Sequence, residues 1–331
     1  GSYGKTTTKD VLAALCAPHA RTAAAESSYN DEIGVPLTLC RLEPDIEVCI
    51  LELSMRGPGQ IAALCSFARP QIGAITNIGP VHLELLGSLE AIAEAKAELL
   101  GFVEQAVLPA EPLLEPFVPE GLPVRRFGPE DVLSFEDGRG VFRVDGRELE
   151  LELNLPQRHN AINVLVALHL YAALGLPLDR AQEGAGAIAF SPWHGQELPL
   201  PGGGLLIADC WNANPVSTRA ALEHQAHVAG GRRRVAVLGG MAELGPEAPR
   251  WHREVGETVA RLGVAELVIV GELARGYLEG ADGVSAHVAD SAAEAADVLR
   301  AILQPGDVVL VKGSRSVGLE AVAENIAQVS A

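Results

Sequence analysis

Residues 1–9 read Gly-Ser-Tyr-Gly-Lys-Thr-Thr-Thr-Lys, and apolar residues at helical spacing follow over 11–15. A glycine-rich turn that leads directly into a helix points backbone N–H groups and the positive end of the helix dipole at an anion. Lys5 would neutralise terminal phosphates there, and Thr6 would bind Mg²⁺. The stretch therefore predicts a phosphate-binding loop whose nucleotide-binding residues are Gly1, Ser2, Gly4, Lys5, Thr6 and Thr7.

The loop pattern is incomplete at its start. The usual eight-residue pattern has a further glycine upstream of Gly1, and a strand is expected to lead into it. The sequence therefore reads as cut at the loop itself, either because a segment was removed or because the chain is a remnant of a longer protein. The alternative is that residues 1–2 derive from cloning and that the threonines cap a helix.

The first part of the chain alternates between strand and helix patterns. Residues 46–53 and 71–78 are short apolar runs rich in β-branched residues, with helical segments between and after them. This alternation predicts buried parallel strands, which collect ligands at their carboxyl ends. Residues 132–155 alternate around two Asp-Gly turns, which predicts an antiparallel meander. A helix over about 159–174 follows.

A second α/β domain is predicted to begin after a proline- and glycine-rich linker or hairpin at 199–204. Its predicted strands are 205–208, 234–238, 266–270, 284–288 and 307–311, separated by alanine-rich helices such as 291–303. The predicted fold is α/β throughout. A P-loop-type ATPase domain with a mostly parallel sheet and a small antiparallel meander spans 1–198, and a Rossmann-like domain spans 199–331.

Composition narrows the class of protein. The chain has 331 residues, of which 48% are hydrophobic, enough for about two folded domains. Its net charge of −18 argues against general nucleic-acid binding. Its five scattered cysteines, without a C-x-x-C pair, favour neither a disulfide framework nor zinc and fit a reducing cytoplasm. No apolar run approaches the length of a membrane span, so we expect no membrane partner.

Two residues with metal-binding chemistry follow the first predicted strands. Glu52 ends one strand, and His82 lies shortly after the other. A carboxylate and an imidazole beside a phosphate loop are suitable ligands for a metal bound to nucleotide phosphates. Each alone is more often a hydrogen-bonded structural residue, so the prediction depends on their combination with Lys5 and Thr6.

Lys96 and two asparagines have competing interpretations. Lys96 lies in an alanine-rich helical pattern, and helix geometry alone predicts a solvated lysine. Asn160 and Asn163 share one face at the start of a later helix. Asn160 could cap that helix, or both amides could be aimed at a nucleotide or phosphate.

The second predicted domain carries two further clusters at strand ends. Asp209 ends a strand and could accept hydrogen bonds from a ribose, and residues 211–215, Trp-Asn-Ala-Asn-Pro, alone predict a turn before a helix. Near the C-terminus, residues 312–316 follow a buried strand and precede a helix, which supplies cations and N–H donors for a carboxylate or phosphate.

Taken together, the motifs resemble those of the ATP-dependent Mur ligases of peptidoglycan synthesis, over essentially the whole chain. The resemblance rests on their order and spacing as well as on each motif. The motifs are residues 1–9, 30–39 (Asn-Asp-Glu-Ile-Gly-Val-Pro-Leu-Thr-Leu), 76–84 (Thr-Asn-Ile-Gly-Pro-Val-His-Leu-Glu), 159–163 (His-Asn-Ala-Ile-Asn), 209–215 (Asp-Cys-Trp-Asn-Ala-Asn-Pro), 241–245 (Met-Ala-Glu-Leu-Gly) and 311–316 (Val-Lys-Gly-Ser-Arg-Ser).

The resemblance implies an amide ligase that joins two small-molecule substrates, a UDP-linked muramoyl peptide and D-Ala-D-Ala. The peptide carboxylate attacks the γ-phosphate of ATP, and the amine of the dipeptide then displaces phosphate from the acyl phosphate. It implies that Lys5 acts at the phosphates, that two Mg²⁺ ions are held with Glu52 and His82, and that Lys96 matches a lysine that is carbamylated to bind metal. This implication conflicts with a solvated Lys96.

By the same resemblance, further residues are assigned to the ligands. Asn160 and Asn163 would lie near the nucleotide, Asp209 near its ribose, and Asn212 and Asn214 in a closing loop. Lys312, Ser314 and Arg315 would lie in the domain that receives the dipeptide. Relatives also carry an N-terminal UDP-binding domain, which the sequence does not include. We expect a cytoplasmic protein that is a monomer.

Three departures from the family pattern keep alternatives open. Gln196 stands where an arginine usually reaches the ATP phosphates, Gly240 takes an aspartate position, and Ser54 replaces a glycine. One alternative is a related Mur or folylpolyglutamate-type ligase with another amino-acid substrate. The other is a truncated nucleotide-binding homologue with little or no catalysis.

Overall fold

A computed structural model describes residues 1–328. The chain divides into two compact units, the first ending at Ser191 and the second beginning at Pro192. The sequence analysis divides the domains seven residues later, after residue 198. The difference arises because the strand Gln196–Leu200 hydrogen bonds within the sheet of the second unit.

The first unit is built from short strands and helices in alternation, followed by a meander and a long apolar helix. Its elements are α1 (Lys5–Cys16), β1 (Thr22–Ala24), α2 (Gly34–Cys40), β2 (Val48–Ile50), α3 (Gln60–Ala68), β3 (Ile72–Ala74), α4 (Leu83–Leu86), α5 (Leu89–Ala97), β4 (Gln105–Pro109), β5 (Val124–Phe127), β6 (Val132–Glu136), β7 (Arg139–Val144), β8 (Arg147–Glu152), α6 (Ala161–Ala173) and α7 (Gln182–Ala185).

Parallel pairing dominates the first half of this unit. Strands β1 and β2 pair in parallel, and β3, β4 and β5 form a second parallel sheet in that order. Parallel pairing within 46–53 and 71–78 is confirmed, although only three residues of each run are paired. The predicted burial is wrong for β2, in which Cys49 is exposed, because this strand borders a cavity. A cavity of about 570 Å³ is lined by residues of β2 and β3, and within residues 1–328 each of these strands pairs on one side only.

The predicted meander over 132–155 is also confirmed. Strands β6, β7 and β8 pair antiparallel, with Asp137-Gly138 and Asp145-Gly146 at positive φ in the two turns. Helix α6 packs against this meander and against α1. The core between them includes Leu15, Phe142 and Leu165, which are fully buried.

The second unit is a doubly wound sheet. Its elements are β9 (Gln196–Leu200), β10 (Gly204–Asp209), α8 (Pro215–Ala229), β11 (Arg234–Gly239), α9 (Ala248–Arg261), β12 (Glu266–Val270), β13 (Ser285–Ala289), α10 (Ala292–Ile302), β14 (Val308–Lys312) and α11 (Glu320–Gln328). The strand order is β13-β12-β11-β14-β10-β9, and among the described strands of this sheet only β9 runs antiparallel. All five predicted strands are present.

The sheet of the second unit is covered on both faces. Along β11, Ala236 and Leu238 belong to one core cluster, and Val235 and Val237 belong to another. Successive side chains of a strand point to opposite faces, so these clusters are the two sides of one sheet. The linker or hairpin candidate at 199–204 is a hairpin, because residues 201–203 join β9 to β10.

The described residues also bear on membrane association. Over residues 1–328, no helix combines the length and the apolar character that crossing a membrane would require.

Candidate nucleotide-binding and catalytic site

The glycine-rich loop has the backbone geometry of an anion cradle. Gly4 precedes α1 with a left-handed conformation (φ 75°), and its carbonyl accepts the N–H of Thr8 at 2.9 Å, which starts the helix. Lys5 Nζ folds back across the loop and donates to the carbonyl of Gly1 at 3.0 Å. The loop therefore combines a lysine amine with a helix N-terminus that has no side-chain cap, the two features that favour phosphate binding.

Asn77 fastens the loop to the segment after β3. Its Oδ1 accepts the N–H groups of Ser2 and Tyr3 at 3.0 and 3.1 Å, and its Nδ2 donates to the carbonyl of Tyr3 at 2.9 Å. Thr76 Oγ1 donates to the same carbonyl at 2.7 Å, and Ser2 Oγ exchanges hydrogen bonds with the backbone of Gly79. Hydrogen bonds from residues 76–79 therefore hold the loop in its conformation.

Thr6 and Glu52 form the centre of the candidate metal site. Thr6 Oγ1 donates to Glu52 Oε2 at 2.7 Å, and Asn30 Nδ2 donates to Glu52 Oε1 at 2.6 Å. Glu52 is 5% exposed, and Thr6 also lies 3.2 Å from the hydroxyl of Ser28. A hydroxyl and a carboxylate, both hard oxygen ligands, thus converge at the start of α1.

Lys96 is buried, contrary to the prediction from helix geometry alone. Its side chain is 7% exposed and lines the cavity beside β2 and β3, together with Lys5, Glu52 and His82. Burial, followed by the charge of Lys5, lowers the pKa of Lys96 to about 7. The solvated interpretation is wrong because α5 turns this face inward, with Ile92 and Ala93 fully buried.

His82 immediately precedes α4 and has a strained backbone conformation. Its backbone adopts φ 56°, which is uncommon for a residue other than glycine. Such backbone strain is concentrated at functional sites. The side chain lines the same cavity as Glu52 and Lys96, so three of the four predicted metal ligands border one space.

Asn160 and Asn163 lie beside the loop. Asn163 Nδ2 donates to Asn160 Oδ1 at 2.9 Å, and both residues are buried. Asn160 makes no side-chain capping hydrogen bond to α6, which removes the alternative role that its position suggested. A Cβ atom on Gly4 would lie 2.1 Å from Asn163 Oδ1, so this amide is directly against the phosphate loop. Their contact with a nucleotide stays a prediction.

In the second unit, Asp209 and Lys312 are bonded to each other. Lys312 Nζ lies 2.7 Å from Asp209 Oδ2 and donates to the carbonyl of Asn212 at 2.9 Å. Lys312 is 2% exposed. The strand pairing sets this contact, since Asp209 of β10 is directly opposite Lys312 of β14.

The remaining predicted residues of this unit have structural partners. Asn214 caps α8 by accepting the N–H of Ser217 at 2.9 Å, which confirms the turn before a helix, and Asn212 Oδ1 accepts the N–H of Ala213 at 2.8 Å. Ser314 Oγ accepts the N–H of Ala242 at 2.9 Å. The Arg315 guanidinium lies 4.1 Å from the ring centre of Trp211, a cation–π contact.

The three departures from the family pattern have local contacts. Gln196 Oε1 accepts the N–H of Trp193 at 3.1 Å, and Ser54 Oγ donates to the carbonyl of Asn30 at 3.1 Å. A Cβ on Gly240 would meet Leu273 at 3.0 Å, so a larger residue there would require Leu273 to move.

Sequence reasoning missed the supporting roles of Asn30, Asn77 and Lys9. Lys9 is 4% exposed, and its Nζ donates to the carbonyls of Ala25 and Ser27 at 2.7 Å each. All three stood inside quoted motifs, but these contacts connect segments far apart in sequence. Of the three residues, only Lys9 could have been singled out from the sequence, because the chain contains just four lysines.

The fold and the site define an α/β protein with a phosphate loop, a buried hydroxyl–carboxylate pair and a following doubly wound domain. Comparison with known families identifies which one. Residues 1–171 match the Mur ligase middle domain, and residues 198–315 match the Mur ligase, glutamate ligase domain. The chain therefore belongs to the Mur ligase family.

Individual relatives support this assignment. The UDP-N-acetylmuramoyl-tripeptide--D-alanyl-D-alanine ligase of Synechocystis sp. is 37% identical over 98% of this chain and 73% of its own length. The enzyme of that name from Escherichia coli is 33% identical over 97% of this chain and 74% of its own length. The chain thus spans about three quarters of each relative.

Solved structures agree with the sequence relatives. MurF from Acinetobacter baumannii superimposes with a TM-score of 0.88 at 25% identity, over 99% of this chain and 75% of that chain. MurF ligase from Thermotoga maritima in complex with ADP gives a TM-score of 0.85 at 26% identity, over 99% and 78%. The predicted family and fold class are therefore confirmed.

Proposed function

We propose that this chain is an ATP-dependent, ADP-forming ligase that joins D-alanyl-D-alanine to a UDP-N-acetylmuramoyl-tripeptide. The observation that carries the proposal is the Thr6–Glu52 pair at 2.7 Å, next to the Lys5 loop, in a chain similar to D-alanyl-D-alanine ligases. The ADP bound by the Thermotoga maritima relative supports ATP as the nucleotide. The chain would act in peptidoglycan precursor synthesis, as a cytoplasmic monomer.

The residues at the loop fit Mg²⁺. Within residues 1–328, no group of three or more His, Cys, Asp and Glu side chains could hold a metal alone. Mg²⁺ commonly takes one or two protein oxygens and completes its shell with phosphate oxygens and water. Thr6 Oγ1 and Glu52 are such oxygens, and His82 and Lys96 border the same cavity. Two bound ions would supply charge neutralisation as an anionic carboxylate approaches a phosphate.

Lys5 and the helix N-terminus would stabilise negative charge on the transferred phosphoryl group. Lys5 Nζ, now on the Gly1 carbonyl, can exchange that neutral acceptor for a phosphate oxygen, and charge-assisted hydrogen bonds are stronger than neutral ones. The peptide carboxylate would attack that phosphorus with release of ADP. The dipeptide amine would then attack the acyl carbon and release a proton, and phosphate would leave with the electron pair of the broken C–O bond.

Lys96 would serve this chemistry as a carbamate. Its pKa of about 7 leaves a large neutral fraction at physiological pH, and a neutral amine is the form that adds CO₂. The addition releases a proton and replaces a potential cation by an anion. Protonated Lys96 would repel a metal ion, whereas its carbamate would bind one in the cavity that Glu52 and His82 also line.

The second unit would receive the dipeptide. Lys312, Ser314 and Arg315 lie at the end of β14 and just after it, and Asp209 and Asn212 lie at the end of β10 and just after it. Ligands of doubly wound sheets bind at such carboxyl ends. Lys312 is already neutralised by Asp209 at 2.7 Å, whereas the ion pair of Arg315 with Glu320 is longer, at 3.5 Å, and the Arg315 side chain is exposed. Arg315 is therefore the more available cation for a carboxylate.

The function is tested by ADP release and by mass spectrometry of the product. ADP should form with the UDP-tripeptide and D-Ala-D-Ala together and not with either alone. Thr6→Val and Glu52→Gln should each lower kcat by about 10²-fold or more. Thr22→Val, in β1, serves as the matched control and should leave kcat unchanged.

Two results would favour the alternatives. ADP formation with a single amino acid but not with D-Ala-D-Ala would assign another substrate to the same chemistry. Binding of a Mg-ATP analogue, combined with no ADP formation from Mg-ATP whichever acceptor is supplied, would indicate a nucleotide-binding homologue without catalysis.

A further inference from the structure

A second cavity of about 310 Å³ lies in the first unit, and its lining includes none of the predicted site residues. Strand β5, the meander and α6 border it. The charged or titratable side chains that face it are Arg125, Arg126, Asp131, Arg143, Asp145 and His169. Three arginines thus converge on one space in a chain whose net charge is −18.

His169 lines this cavity with two buried nitrogen atoms. The residue is 4% exposed, and among residues 1–328 neither Nδ1 nor Nε2 has a hydrogen-bond partner. Its ring packs against Phe127, with ring centres 6.2 Å apart. A buried polar atom without a hydrogen-bond partner is destabilising, so an imidazole kept here on an apolar helix points to a ligand.

Two of the arginines have donors to spare. Arg125 Nε is buried and has no hydrogen-bond partner among residues 1–328, while its Nη1 donates to Gln105 Oε1 at 3.4 Å and its Nη2 lies 3.3 Å from Asp145. Arg143 lies 3.8 Å from Asp131 and 4.0 Å from Glu148, distances too long for hydrogen bonds.

Arg126 differs from the other two. Its guanidinium donates to the carbonyl of Pro109 at 3.2 Å and to Glu115 at 2.8 Å. The donors least engaged are therefore Nε of Arg125 and the guanidinium of Arg143, and both residues line the cavity with His169.

We propose that this cavity is a binding site for a small phosphate-bearing anion, held by Arg125, Arg143 and His169. A guanidinium presents paired donors that match phosphate oxygens, and an imidazole N–H adds a third direction. The volume is at the lower end of ligand sites, which suits inorganic phosphate or a short phosphomonoester and not a nucleotide. The two aspartates leave the lining one positive charge in excess without His169.

The charge state of His169 gives the site a signature. Burial lowers the pKa of His169, Asp145 and Asp131 raise it, and Arg125 lowers it. Arg126 and Arg143 also face the cavity. A bound phosphate would favour the imidazolium, so binding should raise the pKa of His169 and take up protons.

The test is an NMR titration of the full chain with inorganic phosphate at constant ionic strength, following the assigned imidazole signal of His169. We expect a saturable shift of that signal. Arg143→Gln should weaken the affinity at least tenfold, since Arg143 is partly exposed and its loss should not prevent folding. Arg139→Gln is the matched control on β7, because Arg139 pairs with Glu152 outside the cavity, and should change the affinity less than twofold.

A His169 signal that does not respond to phosphate, or an equal affinity in both arginine variants, would overturn the proposal. Phosphate binding at the Lys5 loop can be told apart from binding in this cavity, because binding at the loop does not depend on Arg143. Glycerol 3-phosphate distinguishes the source of the anion. Tighter binding than inorganic phosphate supports a phosphomonoester ligand, and weaker binding supports free phosphate.

Discussion

A Cβ atom on Gly4 would lie 2.1 Å from Oδ1 of Asn163, so the phosphate loop and helix α6 meet without room for a side chain. Gly4 also has a φ of 75°, which is unfavourable for other residues by about 1–2 kcal/mol. The loop thus depends on this glycine for two separate reasons, one conformational and one steric.

Gly4→Ala should therefore destabilise the first unit by about 2–4 kcal/mol, from backbone strain plus overpacking. It should also weaken binding of a Mg-ATP analogue roughly tenfold or more, which corresponds to about 1.4 kcal/mol. Urea denaturation and calorimetry measure the two effects. Gly59→Ala is the matched control, since Gly59 precedes α3 with φ 81° and has nothing within 4 Å of a new Cβ. Equal destabilisation by both variants would show that Asn163 does not matter.

Asn77→Ala should loosen the loop, because three hydrogen bonds to Ser2 and Tyr3 disappear together. At about 1 kcal/mol for each bond, we expect a destabilisation of about 2–3 kcal/mol and weaker binding of the nucleotide analogue. Asn154→Ala removes one hydrogen bond, to the carbonyl of Ile188, and should leave nucleotide affinity unchanged. An unaltered dissociation constant in Asn77→Ala would contradict the role given to Asn77.

The lowered pKa of Lys96 predicts a pH dependence of stability. An unfolded lysine keeps its proton up to about pH 10.4, while folded Lys96 releases it near pH 7. Between these values the unfolded state binds more protons, so the free energy of unfolding should rise with pH. The gain should be on the order of a few kcal/mol and absent below pH 7.

Metal-free protein in CO₂-depleted buffer is the sample for this measurement, and Lys96→Met is the reference. The difference in free energy of unfolding between the two proteins isolates Lys96 from other titrating groups. A difference that stays constant between pH 7 and pH 10 would refute the prediction.

Lys312→Met should destabilise the second unit by about 3 kcal/mol, because it leaves the Asp209 carboxylate largely buried without its partner. Asp297→Ala breaks an exposed ion pair with Arg300 in the same unit and should cost less than about 1 kcal/mol. Thermal unfolding of the two variants compares them. Similar melting temperatures would mean that the Asp209–Lys312 pair is not a stabilising contact.

Most of the fold could be predicted because periodicity marks buried strands directly. Strand β9 is the exception in the second unit. Its sequence, Gln-Glu-Leu-Pro-Leu, contains Pro199, and proline argues against a central strand. β9 tolerates it because it is the antiparallel edge of the sheet, a fact that only the sheet order supplies.

The site was harder to predict, since its polar contacts depend on tertiary packing. The helical pattern around Lys96 has no feature that distinguishes a solvated from a buried lysine, and only the neighbouring elements decide. His169 was missed for the opposite reason: a single histidine in an apolar helix is usually a core residue. Its distinction lies in two nitrogen atoms without partners, which no sequence pattern records.

The burial of the lysines has a consequence for chemical labelling. The chain contains four lysines, and Lys9, Lys96 and Lys312 are each less than a tenth exposed. Lys5, in the phosphate loop, is the partly accessible one. Among the lysine side chains, an amine-specific reagent should therefore modify Lys5 first. Because Lys5 lies in the proposed nucleotide site, protection of this single mass increment by ATP would report on occupancy of that site.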